Sequence, residues 1–239
     1  MKTRIGKLFL ILACAMTVGA CTDDDEETIV TATATGTMTD LEGNTYQWVR
    51  IGEQDWMAEN LRCGTPFYDM KGMTTSGEEN IVIISDRAEA QKWLKDFGNY
   101  YSYQQAQANC PDGWRLPTDE DWKQLERTLG MSVDAIDSEG WRNGAASLMQ
   151  QTAGQGTGLG LRLGGELCKW GYISLTDSSV KPYRQYEAGM YWTATKDTRK
   201  DNECAYYRKI MSGRNQVERR STTINTRYLS VRYIRESQK

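Results

Sequence analysis

The sequence predicts a single α+β domain of short helices and antiparallel strands, placed behind a leader and a tether. Three observations predict it. β-forming runs bounded by Gly and Asn turns occur towards both ends of the chain, a capping box opens an amphipathic helix in its middle, and no repeat of 20 to 50 residues is present. Composition agrees with a folded chain: 239 residues, 39% hydrophobic and 26% charged, with 8 Trp and 13 Tyr. A mean hydropathy of -0.66 excludes a polytopic membrane protein. The balance of 29 Lys+Arg against 32 Asp+Glu offers no reservoir of positive charge for a nucleic-acid backbone, so nucleic acid is not an expected partner. The chain contains no His, which removes the commonest general base and metal ligand and tilts the expectation from catalysis towards binding.

Residues 1–20 read as a secretory leader, with Lys2, Arg4 and Lys7 ahead of an apolar stretch over 8–20 that is too short to span a bilayer. Val18-Gly19-Ala20-Cys21 resembles the lipobox of bacterial lipoproteins, which makes Cys21 the lipidated N-terminus of the mature chain and a membrane its anchor. Asp23-Asp24-Asp25-Glu26-Glu27 and the Thr/Ala stretch that follows lack apolar periodicity, so residues 21–36 are expected to form a flexible acidic tether. An acidic cluster behind a lipidated Cys resembles the surface-export signal of Bacteroidetes lipoproteins, which implies an outer-membrane lipoprotein exposed at the cell surface. Loss of the leader leaves 26 cationic against 32 acidic side chains, a net charge of -6.

The domain itself is expected over 37–239. Asp40-Leu41-Glu42-Gly43-Asn44 forms a turn, residues 45–51 a strand, Gly52-Glu53-Gln54 a second turn and residues 55–61 a strand with its loop. The apolar run 81–84 has no clear place in the core. Asp86 can cap a helix carrying Trp93, Leu94 and Phe97, and residues 103–109 form a second helix stopped by Cys110-Pro111. Thr118-Asp119-Glu120-Asp121 is a capping box for a third helix with Trp122, Leu125 and Leu129 on its core face, stopped by Gly130. Beyond a short helix over 145–151, the Gly-rich stretch 154–165 reads as a flexible connection, because it has neither the Lys-Ser/Thr nor the βαβ setting of a phosphate loop. Strands are expected over 167–175, 189–195, 204–211 and 229–234.

Outside the cytoplasm the four remaining thiols, Cys63, Cys110, Cys168 and Cys204, are disulfide candidates. Cys63 with Cys110 and Cys168 with Cys204 is the favoured pairing of the three, since each bond closes a loop within one half of the domain. Zinc is not expected without C-x-x-C spacing or His.

Several motifs occur together in order. They are Asp40-x-x-Gly43-Asn44-Thr45-Tyr46, Val49-x-Ile51-Gly52-x-Gln54-x-Trp56-Met57-Ala58-Glu59-Asn60-Leu61, Cys110-Pro111-x-Gly113-Trp114-x-Leu116-Pro117-Thr118-x-x-x-Trp122, Tyr191-Trp192-Thr193-Ala194-Thr195 and Ser230-Val231-Arg232. This series resembles the Fibrobacter succinogenes major paralogous domain over residues 37–236. The resemblance implies a C-type-lectin-like fold, related to that of formylglycine-generating enzymes, in which N- and C-terminal strands pair. It also implies a role in attachment to glycans or other surfaces. The chain departs from the family pattern at Tyr233, where a Cys is frequent, at Arg115, where a His is frequent, and in a long insertion over 70–92.

The expected function is therefore a non-enzymatic, surface-anchored binding or adhesion module for a glycan or another surface ligand. Its alternative is a structural or protein-binding part of a cell-surface complex. A formylglycine-generating activity is remote, because Cys204 has no second Cys after it. Trp170, Tyr172, Tyr183, Tyr186 and Tyr191 are the candidate exposed aromatics for a sugar face. Asp201-Asn202-Glu203 and Glu78-Glu79-Asn80 carry oxygen groups suited to calcium, but no Glu-Pro-Asn or Trp-Asn-Asp signature is present, so no metal ligand, cofactor or catalytic residue is assigned.

Overall fold

The computed structural model describes residues 30–70, 87–168, 184–201 and 203–237. Its framework is two antiparallel four-stranded sheets. The first comprises β1 (Ala34–Thr39), β2 (Thr45–Ile51), β3 (Gln54–Met57) and β10 (Ile234–Glu236), in the order β1-β2-β3-β10. The second comprises β4 (Gly140–Asn143), β6 (Ala188–Lys196), β7 (Cys204–Met211) and β8 (Gln216–Thr223), in the order β4-β8-β7-β6, and a small ladder joins β5 (Leu167–Cys168) to β9 (Arg227–Tyr228). Helices α1 (Arg87–Phe97), α2 (Tyr103–Ala108), α3 (Asp119–Thr128), α4 (Val133–Ile136) and α5 (Ala146–Gln150) all lie between β3 and β5 in the chain. Among the described residues no helix is long and apolar enough to cross a membrane.

The first hairpin forms as its turn chemistry requires. Asp40 Oδ1 accepts the backbone N–H groups of Glu42 and Asn44, each at 2.9 Å, and Gly43 supplies the positive φ of 86°. The Tyr46 hydroxyl donates to the other Asp40 oxygen at 2.6 Å, which ties the turn to the core. The tether ends earlier than expected. Ala34 pairs with Arg50 and Thr39 with Thr45, so residues 34–36 belong to the sheet, and Val30 and Ala32 pack against the core. A Thr-rich strand with one face in water leaves no apolar alternation to read, and its position comes from pairing with β2. At the other end of the chain, Ile234 pairs with Trp56 and Glu236 with Gln54, so a C-terminal strand completes the N-terminal sheet.

The expected capping box at Thr118 forms, and a second one, not expected from the sequence, opens α2. The Thr118 hydroxyl accepts from Asp121 N while the Asp121 carboxylate accepts from Thr118 N at 2.7 Å, and Ser102 with Gln105 does the same for α2. Trp122, Leu125 and Leu129 are buried, with Trp122 edge-on to Trp56 at 4.8 Å between ring centroids. Arg115 donates to Asp121 at 2.8 Å and to Glu236 at 2.5 Å, tying the start of α3 to β10.

The expected disulfides are absent: Cys63, Cys110, Cys168 and Cys204 are free thiols. The Cys110 Sγ is turned to the Trp114 carbonyl at 3.0 Å, while Cys63 is buried with its own carbonyl held by Tyr101. Cys168 and Cys204 lie in different sheets. Tyr233 fills the core space beside these elements, its hydroxyl donating to the Ala106 carbonyl at 2.8 Å. Asp86, the run 81–84 and most of the expected strand 167–175 lie outside the described residues.

Candidate functional site

A cavity of about 560 Å³ is lined by Glu59, Asn60, Arg62, Lys95, Asp96, Phe97, Gly98 and Arg162. Three segments build it: the loop after β3, the end of α1, and the Gly-rich stretch at Arg162. Its volume lies within the range of small-ligand sites.

The floor is rigid. Asn60 is buried, and its amide donates to the Phe97 carbonyl at 2.6 Å while its oxygen accepts from Arg232 Nε at 2.5 Å. Gly98 completes this join. It holds φ +79°, and a Cβ there would stand 2.4 Å from the Asn60 Cβ and 2.8 Å from the Leu61 carbonyl oxygen. Gly98→Ala is expected to cost about 2 kcal/mol or more through strain and the clash together, read as a lower urea midpoint. An unchanged midpoint would show that the loop can move aside.

Arg232 is the keystone beneath the floor. It is buried, and none of its hydrogen bonds to described residues ends on a carboxylate. Its guanidinium donates to Met57 O and Leu159 O, each at 2.7 Å, and to Gly160 O at 2.6 Å, besides Asn60. Burial lowers its pKa to about 10, so it remains charged at neutral pH. The Gly-rich stretch is correspondingly built rather than flexible. Gly158 and Gly160 adopt positive φ, Leu159 and Thr157 are buried, and the loop aims two carbonyls at Arg232.

The walls divide into engaged and open charges. Glu59 accepts from Gln47 N at 2.9 Å and from Arg62 at 2.7 Å, and the Arg62 guanidinium lies 4.3 Å from the Tyr46 ring centroid. Burial would raise the Glu59 pKa, but the Gln47 N–H and the Arg62 and Arg232 cations lower it overall. Lys95, Asp96 and Arg162 are exposed, and their side chains make no ion pair or hydrogen bond with a described residue. Arg162 is nevertheless fixed at its backbone. The Tyr191 hydroxyl accepts from Arg162 N at 2.6 Å and donates to Arg162 O at 2.7 Å.

Of the aromatics expected at the surface, Tyr186 is 57% exposed and packs edge-on against Phe97 at 5.2 Å, beside the cleft. Tyr191 is a correction: it is fully buried, with its ring in the core and its hydroxyl on Arg162, because β6, the edge strand of the second sheet, turns this side chain into the core beside Leu159 and Leu161 of the Gly-rich loop. It supports the site from behind and cannot touch a ligand. Trp170, Tyr172, Tyr183 and the lipidation candidate Cys21 lie outside the described residues. Other surface rings are covered by cations: Arg235 lies over both Trp48 and Trp114, and Lys209 over Trp141. The cleft residues Arg62, Lys95, Asp96 and Arg162 carry no local sequence signal, since single charged residues far apart in the chain meet only in the fold.

A second cavity of about 240 Å³ is lined by Glu166, Arg184, Met190, Tyr207, Lys209, Thr222, Arg227 and Leu229. Glu166 meets Arg227 there at 2.5 Å, and Lys209 meets Glu218 at 3.1 Å, so much of its charge is already paired. Burial raises the Glu166 pKa despite the Arg227 cation.

No curated protein and no solved structure matches this chain. The sequence profile of the Fibrobacter succinogenes major domain, by contrast, matches residues 49–235. That span runs from β2, through the Glu59-Asn60 floor and Arg162, to the Arg232 keystone and β10. The chain belongs to the Fibrobacter succinogenes major domain family.

Proposed function

We propose that the protein is a non-enzymatic, lipid-anchored binding module on the outer face of the outer membrane, and that it holds a glycan in the cleft between Asn60, Phe97 and Arg162. The observation that carries this reading is the cleft itself. It is a preformed concavity of about 560 Å³ with charged groups in its wall, and the exposed ring of Tyr186 stands against Phe97 beside it. Sugars present C–H faces to aromatic rings and hydroxyls to charged side chains, and this cleft offers both. Pairing of β10 with β3 supports a C-type-lectin-like arrangement, in which both ends of the domain meet in one sheet. Lipidation at Cys21 and the acidic tether would hold the cleft away from the membrane.

The large hydrophobic side chains exposed among the described residues are Leu41, Val133 and Tyr186, which come from three separate segments. Such scatter favours a glycan over the broad apolar patch that a protein platform needs. The test is a glycan array with the full chain carrying Cys21→Ser, so that no acyl chain is attached, with and without calcium. Saturable binding that weakens roughly tenfold in Tyr186→Ala is the expected result. A folded sample that binds no glycan would overturn the sugar reading and move the assignment to a protein partner.

A further inference from the structure

The mature chain is acidic, yet the cleft reverses that balance. Arg62, Lys95 and Arg162 stand against Glu59 and Asp96 in its lining, and Arg232 lies directly below Asn60. Four cations thus face two acids. Glu59 and Arg62 neutralise each other at 2.7 Å, which leaves Asp96 against Lys95, Arg162 and Arg232. All four hydrogen bonds of Arg232 to described residues end on neutral oxygens, and the carboxylate that acts on it, Glu59, does so without contact and is shared with Arg62. A buried cation with no ion-pair contact adds its field to the concavity above, where low-dielectric walls focus it.

Geometry places the open end of that field at Arg162. The side chain is exposed, while its peptide is clamped on both sides by the Tyr191 hydroxyl. Gly189 allows this close approach, since a Cβ there would fall 2.1 Å from the Arg162 carbonyl oxygen. A guanidinium whose backbone is fixed loses less freedom on taking a ligand, and its fork matches the two oxygens of a carboxylate or sulfate. A neutral sugar would leave these positive charges unanswered.

We propose that the cleft selects an anionic saccharide, with its carboxylate or sulfate seated on the Arg162 guanidinium beside Lys95 and its ring lying against Phe97. This rests on the glycan-binding reading above.

The experiment is titration calorimetry of the full chain carrying Cys21→Ser against three probes: an oligogalacturonate, a sulfated galactan oligosaccharide and a neutral galactan oligosaccharide. The acidic probe that fits is expected to bind roughly tenfold or more tightly than the neutral one, and to weaken as salt is raised. The first two probes separate a carboxylate from a sulfate as the anion. Arg162→Ala should remove the preference for the acidic probe while leaving the melting temperature unchanged, since the side chain is exposed. Arg162→Lys should restore part of it. Equal affinity for acidic and neutral probes, or an acidic preference that survives Arg162→Ala, overturns the anion assignment and leaves the glycan reading standing. Binding to none of the three by a folded sample overturns the anion assignment, and failure across the broad array as well overturns the glycan reading with it.

Discussion

Substitution of Arg232 by Met is expected to cost about 4 kcal/mol or more of folding free energy, because four buried acceptors lose their donor at about 1 kcal/mol or more each. Met57 O, Leu159 O, Gly160 O and Asn60 Oδ1 all depend on this one guanidinium. They belong to two segments that are distant in sequence, and Arg232 to a third, so loss of these bonds loosens the join between the β3 loop, the Gly-rich loop and the C-terminal segment. Methionine roughly matches the volume but donates nothing. Domains of this size have about 5–15 kcal/mol in total, so the variant sits close to unfolding at room temperature. Arg232→Lys should recover only part of the loss, since an ammonium has three donors and no planar fork. Urea denaturation followed by Trp fluorescence measures both variants. A loss of less than about 1 kcal/mol for Arg232→Met would mean that water or a rearranged loop satisfies these carbonyls.

The second large effect lies between α3 and the second sheet. Asp119, at the first turn of α3, accepts from Arg208 at 2.6 Å and from Arg219 at 2.7 Å, and Glu126, two turns on, accepts from Arg142 at 2.7 Å and from Arg208 at 2.7 Å. All five side chains are buried. β4, β7 and β8 each supply one arginine, so the network joins the helix to three strands at once. Glu126→Gln removes the negative charge that Arg142 and Arg208 share, and is expected to cost about 3–5 kcal/mol, as breaking a buried ion pair does.

Its pH dependence follows from Asp119. Burial alone would raise the carboxyl pKa, but the hydrogen bonds and charges of Arg219 and Arg208 outweigh it and bring it down to about 2. A carboxyl with a folded-state pKa below its unfolded value contributes stability that is fully present above the unfolded pKa, near 4. That contribution is lost as pH falls through the folded value, near 2. It amounts to about 2 kcal/mol for this group. Stability measured in urea should therefore fall between pH 4 and pH 2, and the fall should be shallower by about that amount in Asp119→Asn, which starts from lower stability at neutral pH. Parallel acid profiles for the two proteins would remove Asp119 as a source of acid sensitivity.

Much of the local structure was legible in the residues. The Asp40 turn, the Thr118 capping box, the buried face of Trp122, Leu125 and Leu129, and the strands around residues 45–51, 188–196 and 204–211 follow from turn chemistry and periodicity acting within a few residues. β8 escaped that reading because Gln216–Thr223 carries Glu218, Arg219 and Arg220 in its middle, a composition that suggests solvent. Two of those charges are buried only because α3 and β7 bring partners to them. β1 escaped for the opposite reason: it has almost no apolar side chain to periodise, and its place depends on β2.

The same division governs the cleft. By itself the sequence determined the family motifs, the α+β class, the absence of His chemistry and the presence of a Glu59-Asn60 loop after the first hairpin, since these depend on residue identity and near neighbours. Only the tertiary structure decided that Tyr191 faces inward and holds Arg162, and that the four thiols stay apart. The structure alone also buried Arg232 and brought Lys95, Phe97 and Arg162 to one concavity. Those outcomes depend on which elements come to lie side by side across long stretches of chain. A buried guanidinium is stable only where several carbonyls converge on it, and no local pattern in the sequence records that convergence.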